Sequence, residues 1–279
     1  MFLLQLPWDP IKYIDLGFFK LHFYSMMWIV AFILGFYITK RIYKNEKQSD
    51  EALDSLFIYS VLGIMLGARL GHVIFYQSEL ITDDFFSIFL PFKFKGGIEF
   101  TGFQGLASHG AAIGMIISMY LYRKKHMLHK TWLWILDRVV IPVALGAVFV
   151  RIGNFINSEI VGKKTESALG VIFKQNSESF ARHPAQLYEA FCYIFVFLIL
   201  LYFYWKTKKS EQQGFLFGLF LVLLMTVRFF VEFLKEPQGD EDLAALFGDI
   251  INNGQLLSIP FVLIGLYFMF VYKPKTKLN

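Results

Sequence analysis

Arg151, Asn154, Asn157 and Glu159 crowd the stretch RIGNFINSE, at the end of a segment otherwise suited to hydrocarbon. Arg228 and Glu232 stand four apart in RFFVE. The planar, permanently charged fork of arginine suits a phosphodiester, which it grips through paired hydrogen bonds. Arg151, Asn154 and Asn157, at i, i+3 and i+6, fall close to one face of a helix. The chemistry these types and spacings permit is the capture of an anionic lipid headgroup. His109, in ASHGAAIG, is the side chain best placed to move a proton near neutral pH.

Plainer readings stand beside these. Arg228 and Glu232 are equally the spacing of a structural ion pair. A lone His109 is also a packing histidine, and Arg69 and His72 can snorkel or pair locally. Tyr24 belongs to an aromatic-rich chain in which most tyrosines and phenylalanines mark the lipid-facing belt. His126 and His129 lie in a basic cluster and read as topology signals. The sequence has no HExxH, CxxC, Walker or GxSxG pattern, so neither a metal site nor a cofactor is expected. The single cysteine, Cys192, lies in an apolar run, where a thiol is inert and no internal disulfide can form.

These residues are carried by elements built for a bilayer. Of 279 residues, 56% are hydrophobic and only 18% charged, which places the chain among polytopic membrane proteins. The net charge of +5 comes from short clusters between apolar runs, so nucleic acid is not an expected partner. The amino terminus lacks a basic region and carries Pro7 and Pro10, unlike a cleaved signal peptide. Apolar length predicts an all-α fold of seven spans, at about 18–39, 53–76, 104–122, 133–153, 187–205, 214–234 and 255–272, in a single membrane domain. Residues 158–182 are expected to form a small outer loop or cap, and 85–103 a partly embedded outer segment. KRIYKNEK, RKKHMLHK, KTKK and KPKTK follow alternate spans, and the intervening connections include the acidic ITDDFFSIF and EPQGDEDL. The positive-inside rule then sets the N-terminus out and the C-terminus in.

On this topology Tyr24, His109, Arg151, Asn154, Asn157, Glu159, His183, Gln186, Glu189, Arg228 and Glu232 nearly all fall at one depth, in the outer leaflet. Charge inside a bilayer costs at least a few kcal/mol per group. Scattered structural charges have no reason to share a depth, so the pattern predicts one polar cavity open to the outside. A transporter or a passive lipid-binding receptor could also line such a cavity, although transporter sites sit nearer the midplane.

RIGNFINSEIVG resembles the signature segment of the prolipoprotein diacylglyceryl transferases. ASHGAAIG, HPAQLYEA, and RFFVEFLKEP followed by GQLLSIP extend the resemblance, in order, over nearly the whole chain. Two positions depart from the common pattern: Ser158 stands where glycine is usual, and Lys235 where arginine is frequent. The resemblance implies a bacterial cytoplasmic-membrane enzyme whose active site faces the outer leaflet. Its implied partners are phosphatidylglycerol, a lipobox-containing preprolipoprotein and membrane lipids. The implied reaction moves the diacylglyceryl group to the lipobox cysteine, forms a thioether and releases glycerol phosphate, the first step of lipoprotein maturation. It implies His109 as general base and Arg151 and Arg228 as holders of the phosphate. Asn154 and Glu159 would bind the glycerol hydroxyls or orient Arg151, with Asn157 nearby. Glu232 would aim Arg228. Gly153 and Gly162 would let backbone approach the headgroup, and Tyr24 and His183 would position substrate.

Overall fold

The computed structural model describes residues 5–17, 20–90, 92–100, 105, 107–237 and 251–273. The acidic segment that follows Pro237 lies outside them. Long helices dominate: α1 (Phe23–Asn45), α2 (Asp50–Tyr76), α5 (Ser108–His126), α6 (Trp132–Ile156), α7 (Ala185–Lys206), α8 (Phe215–Val231) and α9 (Asn253–Leu266). A 3₁₀ turn prolongs α8 to Leu234, and a π turn prolongs α9 to Val271. Two short helices, α3 (Leu80–Asp83) and α4 (Phe85–Phe89), follow α2. Among the described residues six helices are long and apolar enough to cross a membrane, and α5 is not one of the six. The last turn of α5 holds Arg123, Lys124, Lys125 and His126, and glycines dilute its first half. The chain is therefore a multi-pass helical membrane protein. The first helix opens at Phe23 because the preceding residues, β2 (Tyr13–Asp15) and β3 (Lys20–His22), pair as an antiparallel hairpin.

Two compact units compose the chain: Lys40–Ile135, and Met1–Thr39 with Leu136–Asn279. In the first, α2 packs on α5 along a stripe without side chains. A Cβ on Gly67 would lie 2.4 Å from the Gly110 carbonyl oxygen, and one on Gly114 would lie 2.2 Å from that of Gly63. Small residues allow this approach in lipid, where tight packing has to replace hydrophobic drive. Arg69 is buried and donates to the carbonyls of Ser87, at 3.0 Å, and Ile88, at 3.3 Å. It thus fastens the end of α4 to α2 and satisfies carbonyls that a helix terminus leaves open. Asp84 accepts from the amides of Phe94 (2.8 Å) and Lys95 (3.2 Å). Those amides lie in the turn between β4 (Phe92–Lys93) and β5 (Glu99–Phe100).

In the second unit, Gly218 of α8 faces Gly265 of α9 just as closely: a Cβ on either would lie 2.5–2.6 Å from the other's carbonyl oxygen. Asp137 of α6 is wholly buried and accepts from the amides of Gly214 (2.7 Å) and Phe217 (2.8 Å), so it caps α8 from a neighbouring helix. A small cap has its own core. There β1 (Leu6–Trp8) pairs in parallel with β6 (Val171–Phe173), and Phe155, Val171 and Phe173 pack together with Trp8 and Val161. The indole of Trp8 donates to the Phe155 carbonyl at 3.0 Å, which ties this core to the end of α6.

Candidate functional site

The site grows from the way α6 ends. Ser158 takes a left-handed conformation, φ +58°. Its amide donates to the Phe155 carbonyl (3.1 Å), and the Glu159 amide donates to that of Asn154 (3.1 Å). This is the pair of terminal bonds that glycine commonly closes at a helix C-terminus, because it alone adopts positive φ without steric cost. The glycine expected at position 158 is thereby explained. The reversal sends the Glu159 carboxylate back over the helix, where it accepts from the Asn154 amide nitrogen at 2.6 Å. The Asn154 oxygen in turn accepts from Arg151 at 3.1 Å. Asn157 follows the last helical residue, so the expected i, i+3, i+6 face is cut short. Its side chain does not enter this chain of bonds.

Glu189 on α7 closes the other side. It has no exposed surface, and its carboxylate pairs with Arg151 Nε at 2.7 Å and with Lys235 Nζ at 2.9 Å. The Tyr193 hydroxyl, one turn on, lies 3.4 Å away. Gln186, also wholly buried, donates to the Glu159 backbone carbonyl. Arg151 keeps 16% of its side chain exposed, so it is anchored on one face and accessible on another. Glu189 was visible in the sequence as a polar residue opening a span, and Lys235 as a departure from the family pattern, but neither was assigned to the site. Their signal was a carboxylate inside an apolar helical run, which membranes rarely tolerate without a partner.

The α8 end departs from expectation. The helix runs into a 3₁₀ turn at Glu232, whose backbone amide still donates to the Arg228 carbonyl while its carboxylate turns elsewhere. Among the described residues Glu232 meets Lys235 instead, at 3.2 Å. Arg228 keeps a buried Nε for which no hydrogen-bond acceptor exists among the described residues. The start of α9 closes on the same turn. Asn252 and Gln255 cap each other's backbone, and the Asn252 side chain donates to the Glu232 carbonyl at 3.3 Å.

Three backbone segments tie the parts together. The Gly162 amide donates to the His183 carbonyl (2.9 Å), Lys163 to Leu234 (2.7 Å) and Glu236 to Val161 (3.2 Å). Arg182 locks the bundle from outside, bridging Glu178 at 2.7 Å and Glu236 at 2.8 Å. Its hydrogen bond to Glu178 raises the guanidinium above its ordinary range. A Cβ on Gly162 would meet the His183 and Leu234 carbonyl oxygens at 2.5 and 2.7 Å, and one on Gly153 would meet the Tyr24 ring at 2.7 Å. The close approach expected at both glycines is thus to protein. Tyr24 is thereby set against the helix turn that carries Arg151 and Asn154. The His183 imidazole lies 3.2 Å from the Tyr188 hydroxyl. His109 belongs to the other unit, as the second residue of α5, with its side chain exposed.

Fold and site together define a multi-pass helical membrane protein whose helix ends gather arginine, lysine and carboxylate side chains around an arginine with an unused buried donor. The family model for prolipoprotein diacylglyceryl transferase matches residues 12–271. A phosphatidylglycerol–prolipoprotein diacylglyceryl transferase of Bacteroides fragilis is 40% identical over 277 residues, 98% of this chain and 97% of the relative. One of Tolumonas auensis is 41% identical over 94% of each chain, and one of Porphyromonas gingivalis 34% identical over 94% of this chain and 92% of its own. The chain belongs to the prolipoprotein diacylglyceryl transferase family.

Proposed function

We propose that this protein transfers the diacylglyceryl group of phosphatidylglycerol to the thiol of a preprolipoprotein's lipobox cysteine, forming a thioether and releasing glycerol phosphate. It is a transferase of the bacterial cell membrane and acts in the first step of lipoprotein maturation. The observation that carries the site assignment is Arg228, whose buried Nε has no acceptor among the described residues. A buried donor of this kind is costly unless something occupies it, and a phosphodiester oxygen is a fitting acceptor. Arg151 is already aimed by Glu189 and Asn154.

In the reaction the thiolate attacks the glyceryl carbon that bears the phosphate. A C–S bond forms, the C–O bond breaks, and the electron pair leaves on what becomes a phosphate monoester. Arg228 and Arg151 hold the phosphate and offset the charge that builds on the departing oxygen. A thiol near pKa ~8.5 needs a proton acceptor, and His109 takes that role. Asn154 and Glu159 orient Arg151 and meet the headgroup hydroxyls. Tyr24 and His183 position substrate, and Glu232 with Lys235 shapes the end of α8. The nucleophile comes from the substrate protein, in keeping with Cys192 lying in an apolar helix. The helix α5 is read as the seventh span, with the N-terminus outside and the site facing the outer leaflet.

A purified-enzyme assay with phosphatidylglycerol and a lipobox peptide, read by mass spectrometry, tests this. Wild type adds one diacylglyceryl group to the peptide cysteine. Arg228→Ala and Arg151→Ala each lower the rate by ~10²–10³, the usual loss on removing one such contact. A His109→Ala enzyme that turns over normally removes the base assignment. No addition by wild type, in detergent and in liposomes alike, removes the reaction itself.

A further inference from the structure

His72, on α2, has no part in the chemistry proposed above, yet it touches the chain that delivers His109. Its imidazole stacks on Tyr76, one helical turn further on, with ring centroids 5.4 Å apart and planes 27° from parallel. Gly105 presses on the same imidazole. A Cβ on Gly105 would lie 2.1 Å from Nε2 and 2.3 Å from Cδ2. Gly105 also sits at φ +77°, a conformation that side-chain-bearing residues rarely adopt. Both backbone shape and space therefore hold this glycine on the ring.

Beyond Gly105 the backbone is fixed at two further points, both on α2. The Ala107 amide donates to the Ala68 carbonyl at 2.9 Å, and Ala68 lies one turn before His72 on the same face. Gly110 meets Gly67 and Gly71, and a Cβ on Gly110 would come within 2.3 Å of the Gly67 carbonyl oxygen. His109 stands between these two anchors, two residues after Ala107 and one before Gly110. Ala107, the residue before α5, offers no side-chain cap, so these contacts help to set the direction of the first turn. Among them the His72 ring is the one supplied by a side chain.

We propose that His72 is a positioning residue for His109: the imidazole, backed by Tyr76, is the platform on which Gly105 turns the chain into α5. The proposal rests on the reading of His109 as the base. Its chemistry requires a flat ring at position 72, with no demand on a ring nitrogen. A misplacement of about 1 Å at a reacting group can lower turnover by ~10².

The test measures two things on the full-length enzyme. One is the split between kcat and KM for phosphatidylglycerol. The other is the rate at which diethyl pyrocarbonate modifies His109, read by peptide mass spectrometry, which follows that imidazole whatever its catalytic role. His72→Ala is expected to lower kcat at least about tenfold with KM within about twofold, and to change the His109 modification rate at least about threefold. His72→Phe, which keeps the flat ring, is expected to restore both. If His72→Ala does not fold, His72→Leu, bulky but without a ring, takes its place. Wild-type turnover and wild-type His109 reactivity in the ring-less variant would overturn the proposal, as would a His72→Phe enzyme no better than that variant. Full activity of His109→Ala would instead remove the base reading. The modification rate of His109 in the His72 variants would then still decide positioning.

Discussion

Glu189 has no exposed surface and is approached by two cations, Arg151 at 2.7 Å and Lys235 at 2.9 Å. Removing one partner of such a buried pair typically costs about 3–5 kcal/mol, because it strands the charge that remains. Glu189→Gln keeps the shape but takes the carboxylate from Arg151 and leaves Lys235 with Glu232 alone. It is expected to lower the melting temperature in detergent and abolish transfer. A variant that melts with wild type would show that Arg151 and Lys235 are held by other means. Ser158 runs the other way. It occupies a left-handed position, φ +58°, and its buried hydroxyl has no partner among the described residues. Ser158→Gly removes both penalties, each of order 1 kcal/mol, against a comparable entropic cost of glycine. Unfolding of that variant is expected at or above the wild-type temperature, with transfer retained. A fall of several degrees would mean that the left-handed turn is not what position 158 supplies.

At the scale of elements, the turn between β4 and β5 is held by one carboxylate. The Phe94 amide, and then the Lys95 amide, hold Asp84 below the usual carboxylate range. A group whose folded pKa is depressed adds stability above its unfolded value and loses it as pH falls through the folded one. The Asp84 clamp is therefore complete near neutrality and released only in acid, below the ordinary aspartate range. Hydrogen exchange at the Phe94 and Lys95 amides should show protection at neutral pH that Asp84→Asn lowers. Equal protection in wild type and Asp84→Asn would assign the turn's order to its backbone pairing. The same scale explains Arg69, for which the sequence offered snorkelling or local pairing. It donates to two carbonyls at the end of α4, a structural task.

For the whole molecule, the proposed orientation is open to direct measurement. Cys192 is the single cysteine, so a Cys192→Ser background can carry one reporter at a time. On intact cells an impermeant thiol reagent should label Ser177→Cys, in the cap between α6 and α7, and leave Lys208→Cys, after α7, unlabelled. The reverse pattern would invert the topology and move the polar site to the cytoplasmic side.

The sequence by itself determined the membrane class and the family, because hydropathy and motif order are one-dimensional properties. It also singled out Arg151, Asn154 and Glu159, which the structure joins by hydrogen bonds, and Arg228, the basis of the proposed site. Which groups meet was decided only in the tertiary structure. Helix ends turn, and rotation about a helix axis cannot be read from depth alone. Glu232 keeps its backbone bond to the Arg228 carbonyl, yet its carboxylate meets Lys235, three residues on. Glu189 reaches Arg151 and Lys235 across 38 and 46 positions of sequence, respectively, pairings that no local spacing encodes. Gly153 and Gly162 admit the Tyr24 ring and the backbone of His183 and Leu234, because close packing fills the space a missing side chain leaves.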